Sequence, residues 1–133
     1  MDNKKTGTTF EREFLAYLGE NGWWAHFITP NATGAQPFDI LAIRGRDVYA
    51  LDCKTCAANR FPLNRVEINQ QLAFSQLEEK TEAQCAFICL YENEMYYVPW
   101  WLVKAYMNVG QSSIKLTEGM KIDAGNRFEQ YKD

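Results

Sequence analysis

The stretch Phe38-Asp39-Ile40-Leu41-Ala42-Ile43-Arg44-Gly45-Arg46-Asp47-Val48-Tyr49-Ala50-Leu51-Asp52-Cys53-Lys54 decides how this chain is read. Two apolar, β-prone runs flank Gly45-Arg46-Asp47, which predicts a hairpin of strands Phe38 to Arg44 and Val48 to Lys54. Side chains alternate along a strand, so Asp52 and Lys54 share a face with Ala50, while Leu51 and Cys53 take the other. The hairpin returns Asp39 to the neighbourhood of Asp52. A carboxylate that interrupts an apolar run needs a charge partner or a cation. Two carboxylates around one ammonium leave a negative charge over, and hard oxygen ligands beside a lysine suit a divalent cation and a phosphate. The plainer readings stand beside this one. Pro37-Phe38-Asp39 also fits a simple turn, and Asp52 with Lys54 a structural ion pair.

Working outward, Thr8 is placed to cap a helix with Glu11 three residues on, and Phe10, Phe14, Tyr17 and Leu18 recur at helical spacing until Asn21-Gly22. At ~100° per residue, Glu11 falls within the apolar stripe, where it is either the capping-box glutamate or a third acid of the cluster. Residues 1–7 read as a mobile arm carrying Lys4 and Lys5. A strand is predicted over Trp23 to Ile28 and a polar loop over Thr29 to Gln36. Beyond the hairpin, a helix from about Asn64 to Lys80 has Gln70 as the polar exception on a stripe of Val66, Ala73 and Leu77. A second hairpin pairs Cys85 to Tyr91 with Met95 to Val98, Pro99 opens a helix reaching Asn108, and Ser113 to Leu116 forms a short strand. The fold class is α/β: a central mixed five-stranded sheet flanked by helices in one domain, 1–133.

The composition of the 133 residues, 47% hydrophobic and 23% charged, is that of a globular chain, and no apolar run is long enough for a bilayer. The N-terminus lacks the apolar core of a signal peptide, so a cytoplasmic location is expected. Cys53 and Cys56 have zinc-ligand spacing, but Cys85 and Cys89 lie in an apolar strand pattern with no histidine near, which favours reduced core thiols. His26, the one histidine, sits in a predicted strand and reads as structural. Trp23, Trp24, Tyr96, Tyr97, Trp100 and Trp101 fall at spacings that suit a core or a dimer interface as well as base stacking. Glycine-rich phosphate loops are absent, so no nucleotide cofactor is expected. A formal charge of −3 is unusual for a nucleic-acid enzyme, but two divalent ions, bringing four positive charges, would raise it to +1.

Phe10-Glu11-Arg12-Glu13, Pro37-Phe38-Asp39, Asp52-Cys53-Lys54 and Phe61-Pro62-Leu63 with Asn69-Gln70 resemble, in order and placement, the PD-(D/E)-x-K nucleases. Among these the likeness is to Holliday junction resolvases of the RecU, archaeal and phage types, and it spans about Thr6 to Trp101. The resemblance implies a restriction-endonuclease-like core and a homodimeric endodeoxyribonuclease of DNA recombination and repair, cutting four-way junctions symmetrically with Mg²⁺ or Mn²⁺. It implies metal ligation by Glu11, Asp39, Asp52 and the backbone carbonyl of Cys53. Lys54 would position the attacking water, Gln70 would support the site, and Lys4, Lys5, Arg12, Arg60 and Arg65 would contact DNA. The chain departs from the family in placing aspartate at 52 where glutamate is usual, and its loop from Thr55 to Asn64 is too short for a junction-penetrating stalk. Two other readings remain: a restriction-like or repair nuclease on duplex or flap DNA, and a non-catalytic DNA-binding module on the same fold.

Overall fold

The structure, a computed structural model, describes residues 7–29 and 36–122. Along the chain run α1 (Gly7–Glu20), β1 (Trp24–Phe27), β2 (Ile40–Arg44), β3 (Asp47–Thr55), β4 (Arg60–Pro62), α2 (Ile68–Lys80), β5 (Gln84–Tyr91), β6 (Glu94–Pro99), α3 (Trp100–Asn108), β7 (Ser113–Lys115) and β8 (Lys121–Ile122). Residues 1–6 of the expected arm, with Lys4 and Lys5, lie outside the described residues, and Gly7 belongs to α1.

The predicted hairpin forms, with Ile40 opposite Leu51 and Arg44 opposite Asp47. Its two-residue loop starts at Gly45 with φ 61°, the positive value that a tight hairpin requires at that position. The second hairpin turns through Glu92 (φ 49°) and Asn93 (φ 64°), both left-handed. The main sheet has the order β1-β2-β3-β5-β6-β8, six strands where five were expected. β3 and β5 pair in parallel and the other neighbours are antiparallel. Only a crossover can join parallel neighbours, and β4 with α2 supplies it. The sixth strand, β8, has just two residues, too few to leave a periodic signal, and is held by pairing Met95 with Ile122. β4 and β7 make a separate two-stranded ribbon.

Each face of the sheet has its own core. On one, Phe10, Phe14 and Leu18 of α1 pack on Tyr49, Leu51, Ile88 and Tyr97; burying each large apolar side chain contributes roughly 2 kcal/mol. On the other, Phe74 of α2 and Trp100 and Val103 of α3 cover Ala50, Phe87 and Cys89. β2 begins at Ile40 and not Phe38, which leaves Asp39 before the strand, and the starts of α1 and α2 also differ from expectation. α1 includes Gly7, so Thr8 lies inside the helix and is not its N-cap. α2 begins at Ile68 and not near Asn64, because Leu63–Arg65 form a 3-10 turn and Val66 is extended.

Candidate active site

The site lies where β2 and β3 part. β2 pairs with β3 only as far as Ile40 opposite Leu51, so among the described residues Asp52–Thr55 have β5 as their one strand neighbour. Asp39 stands just before β2 in the opening. Its N–H donates to the Leu51 carbonyl at 3.1 Å, and its own carbonyl accepts from the Ile28 N–H at 2.8 Å. The backbone N–H of Cys53, which would meet another strand had β2 continued, donates to Asp39 Oδ2 at 2.8 Å. Because N–H and C=O of one strand residue point to the same side, the Cys53 carbonyl is directed into the same fork.

The alternation read from the sequence places Asp52 and Lys54 together, and Lys54 Nζ lies 3.1 Å from Asp52 Oδ2. Asp52 is 2% exposed, Asp39 9%. The ammonium approaches at ion-pair distance but off the direction of a hydrogen bond, so Oδ2 is buried without a directed donor. Burial first, and the Asp39 charge second, push the Asp52 carboxyl up to about 7, against the pull of Lys54.

Asp39 is held from both sides. Gln36 Nε2 donates to its Oδ1 at 2.5 Å, and Asn69 Nδ2 of α2 donates to the Gln36 carbonyl at 2.8 Å. These two positioning residues were not singled out from the sequence as partners of Asp39. The only signals were that Gln36 precedes Pro37-Phe38-Asp39 and that Asn69 belongs to the Asn69-Gln70 pair.

Glu11 is half-buried at the edge of the α1 stripe, and its carboxyl is raised by burial and then by the Asp39 charge, which puts the two acids in electrostatic contact. The Cys53 thiol is pushed well up by burial, then by the charges of Asp39, Asp52 and Glu11. Among the described residues no three histidine, cysteine, aspartate or glutamate side chains converge as a ready metal cage. Asp39 and Asp52 come together with Lys54, and Glu11 on α1 feels the Asp39 charge.

The remaining candidates are distributed. Gln70 is 5% exposed, and its Oε1 accepts from the Glu67 N–H at 3.3 Å, which caps α2. An Arg65 guanidinium nitrogen donates to the Thr55 carbonyl at the end of β3. Arg60 Nε donates to Ser113 Oγ at 2.6 Å across the β4–β7 ribbon. Arg12 is exposed on α1. His26 stacks on Trp24, the centroids 5.6 Å apart. The cysteines are free thiols, Cys85 and Cys89 being buried in β5.

A forked mixed sheet carrying Asp39, Asp52 and Lys54 on adjoining strand ends, with a glutamate from the first helix, is the arrangement of a PD-(D/E)-x-K nuclease. Residues 2–124 match the family described as archaeal Holliday junction resolvase (hjc), and the chain belongs to that family. It is 29% identical over 73 residues to the crossover junction endodeoxyribonuclease Hjc of Methanocaldococcus jannaschii, an alignment covering 55% of this chain. The match spans about half the length of that relative, 52%. The fold is similar to the solved structure of Archaeoglobus fulgidus Hjc, a Holliday junction resolvase, with a TM-score of 0.55 and 22% identity over 86% of this chain and 92% of that one. Among the described residues no helix is long and apolar enough to cross a membrane.

Proposed function

We propose that this protein is a divalent-metal-dependent endonuclease that nicks four-way DNA junctions, acting as a homodimer on two symmetry-related strands. The observation that carries the reading is Asp52: a buried carboxylate with an oxygen lacking a directed donor, beside a second carboxylate and 3.1 Å from a lysine. A purely structural ion pair would be better served by a fully bonded geometry, and a lone buried acid by an apolar replacement.

The donors fit a hard cation. Asp39, Asp52 and Glu11, with the Cys53 carbonyl, would supply its oxygen ligands. Such a cation, Mg²⁺ or Mn²⁺, when bound supplies Lewis acidity toward the scissile phosphate and the attacking water. Lys54 orients that water from the Asp52 side and offsets the charge that builds on the phosphate oxygens. Gln36 and the Cys53 N–H fix the Asp39 carboxylate in one orientation, so the site is preorganised. Gln70 supports it indirectly, by capping the helix whose Asn69 holds Gln36. Arg60, Arg65 and Arg12, with Lys4 and Lys5, supply local positive charge for phosphates on a chain of net charge −3. A two-fold dimer presents equivalent sites to two strands of a junction.

The test is a gel assay on a labelled mobile four-way junction and on linear duplex of the same sequence, with and without Mg²⁺. Paired nicks in the junction that require the metal are expected. Equal cleavage of the duplex would make it a duplex nuclease, and no cleavage with any divalent ion would overturn the reading.

A further inference from the structure

We propose that Arg60 and Lys115, facing each other across the β4–β7 ribbon, clamp one phosphate of the bound DNA, about three nucleotides from the scissile one. This clamp rests on the nuclease reading and adds a contact from beyond the stretch Thr6 to Trp101 that carries the nuclease motifs. Arg60 is the register partner of Lys115, Phe61 of Ile114 and Pro62 of Ser113. Side chains directly opposite in an antiparallel pair share a face, and the alternation puts Phe61 and Ile114 on the other. Phe61 and Ile114 are fully buried in the core shared with α2 and α3, so Arg60 and Lys115 point outward, and both are exposed.

Two cations set directly opposite, with Cβ atoms ~5 Å apart, repel each other. Among the described residues neither has an acidic partner at ion-pair distance. The adjoining chain supplies none: residues 53–66 and 95–117 include Lys54, Arg60, Arg65, Lys104 and Lys115 but none of the 17 acids. Arg60 Nε donates to Ser113 Oγ at 2.6 Å, which fixes the guanidinium along the ribbon and leaves its terminal nitrogens to an outside acceptor. A phosphodiester fits that gap. Its two charged oxygens take the guanidinium and the ammonium together, turning a repulsive pair into charge-assisted hydrogen bonds.

The place of the ribbon decides which anion this is. The Phe61 ring lies against that of Phe87, the centroids 5.1 Å apart, and Phe87 is the register partner of Asp52. In-register neighbours of a parallel pair share a face, so the ribbon stands over the sheet face that carries Asp52 and Lys54. Stacked β-layers lie ~10 Å apart, which sets the outward heads of Arg60 and Lys115 at least that far from Asp52. A DNA strand rises roughly 3.4 Å per nucleotide, so ~10 Å is about three nucleotides, too far for the phosphate being cut and near enough for the same strand. Arg65 holds the Thr55 carbonyl, which ties the turn after β4 to the strand end bearing Lys54 and keeps clamp and site in fixed relation.

The experiment binds the full-length protein to a four-way junction in EDTA, acetylates its lysines with N-hydroxysuccinimidyl acetate and maps the modified peptides by mass. Lys115 should lose its labelling on binding, while Lys80, exposed at the end of α2, keeps it. This arm needs no variant to fold. Lys115→Ala should lower the slope of log affinity against log salt by about 1, and Lys115→Arg should restore it. Its Tm should be kept or raised, since one of two opposed cations is gone. A single neutral methylphosphonate, scanned along the strand, should weaken wild-type binding about tenfold at one position about three nucleotides from the nick, and leave Lys115→Ala indifferent there. Unchanged labelling of Lys115, an unchanged salt slope in Lys115→Ala, or a methylphosphonate effect equal in both proteins would overturn the clamp. With metal-dependent nicking of the junction intact, the clamp would fall alone; a protein that binds no junction at any salt would take the nuclease reading with it.

Discussion

At the scale of single residues, Asp52 and Lys54 owe their pairing to the two-residue period of β3, and their substitutions should separate. Asp52→Asn is expected to lower the nicking rate on the order of 10³-fold while junction binding is kept or tightened, since a negative charge near phosphate is removed. A gel-shift titration beside a single-turnover rate checks it, and retained cleavage would remove Asp52 from the site. Lys54→Ala should lose about 10²-fold in rate with Mn²⁺ affinity intact, read by calorimetry. Gln36 touches no substrate in this account, so Gln36→Ala should act through Asp39, raising the Mg²⁺ concentration for half-maximal rate about tenfold with junction affinity unchanged. Protonation also belongs to this scale. The Asp52 carboxyl titrates at about 7 in the metal-free fold and in the ordinary carboxylate range when unfolded, so the folded state holds an extra proton between those limits. That stabilising effect is complete at the acid end and is lost as pH rises through about 7. Metal-free protein should therefore lose on the order of 2 kcal/mol between pH 5 and 8, seen as a falling Tm. Asp52→Asn should flatten the slope, and Mg²⁺ at pH 8 should restore the wild-type Tm.

At the scale of elements, what the sequence made legible follows from whether a signal is local and periodic. The β2–β3 hairpin, the second hairpin and the buried faces of β5 were legible, because alternation and turn residues lie within a few positions of one another. The pairing of β4 with β7 and the addition of β8 were not, since strands of three and two residues carry no period and depend on partners more than thirty residues away for β4 and β7. Gln70 was visible as a polar break in an apolar stripe. Its use was hidden by the 3-10 turn, which shifts the start of α2 to Ile68 and makes Gln70 a cap. Thr8 offered a capping pattern that the helix overran. The carboxylates and lysine of the site were legible, and the brace through Gln36 and Asn69 was not, because it joins segments 33 positions apart. The Glu92-Asn93 turn gives a stability test. Glu92 is a left-handed non-glycine residue, so Glu92→Gly should add about 1 kcal/mol, measured as a shift in the urea midpoint with unchanged slope.

At the scale of the molecule, a chain of formal charge −3 places three of its 17 acids about the fork and leaves Arg12, Arg60 and Arg65 exposed. Junction affinity should then fall steeply with salt, and Arg60→Ala with Arg65→Ala should reduce the slope of log affinity against log salt by about 2. The same architecture sets an order of assembly. Among the described residues Asp52–Thr55 have no strand neighbour but β5, and β5 arrives only after the whole β4–α2 crossover has been threaded into place. Distant pairings of this kind are slow to form. A growing polypeptide that has not yet made Gln84–Tyr91 therefore displays the acid and the amine on a loose ribbon unable to hold them in register. The fork gains its shape only once the crossover and the strand it delivers are both in place.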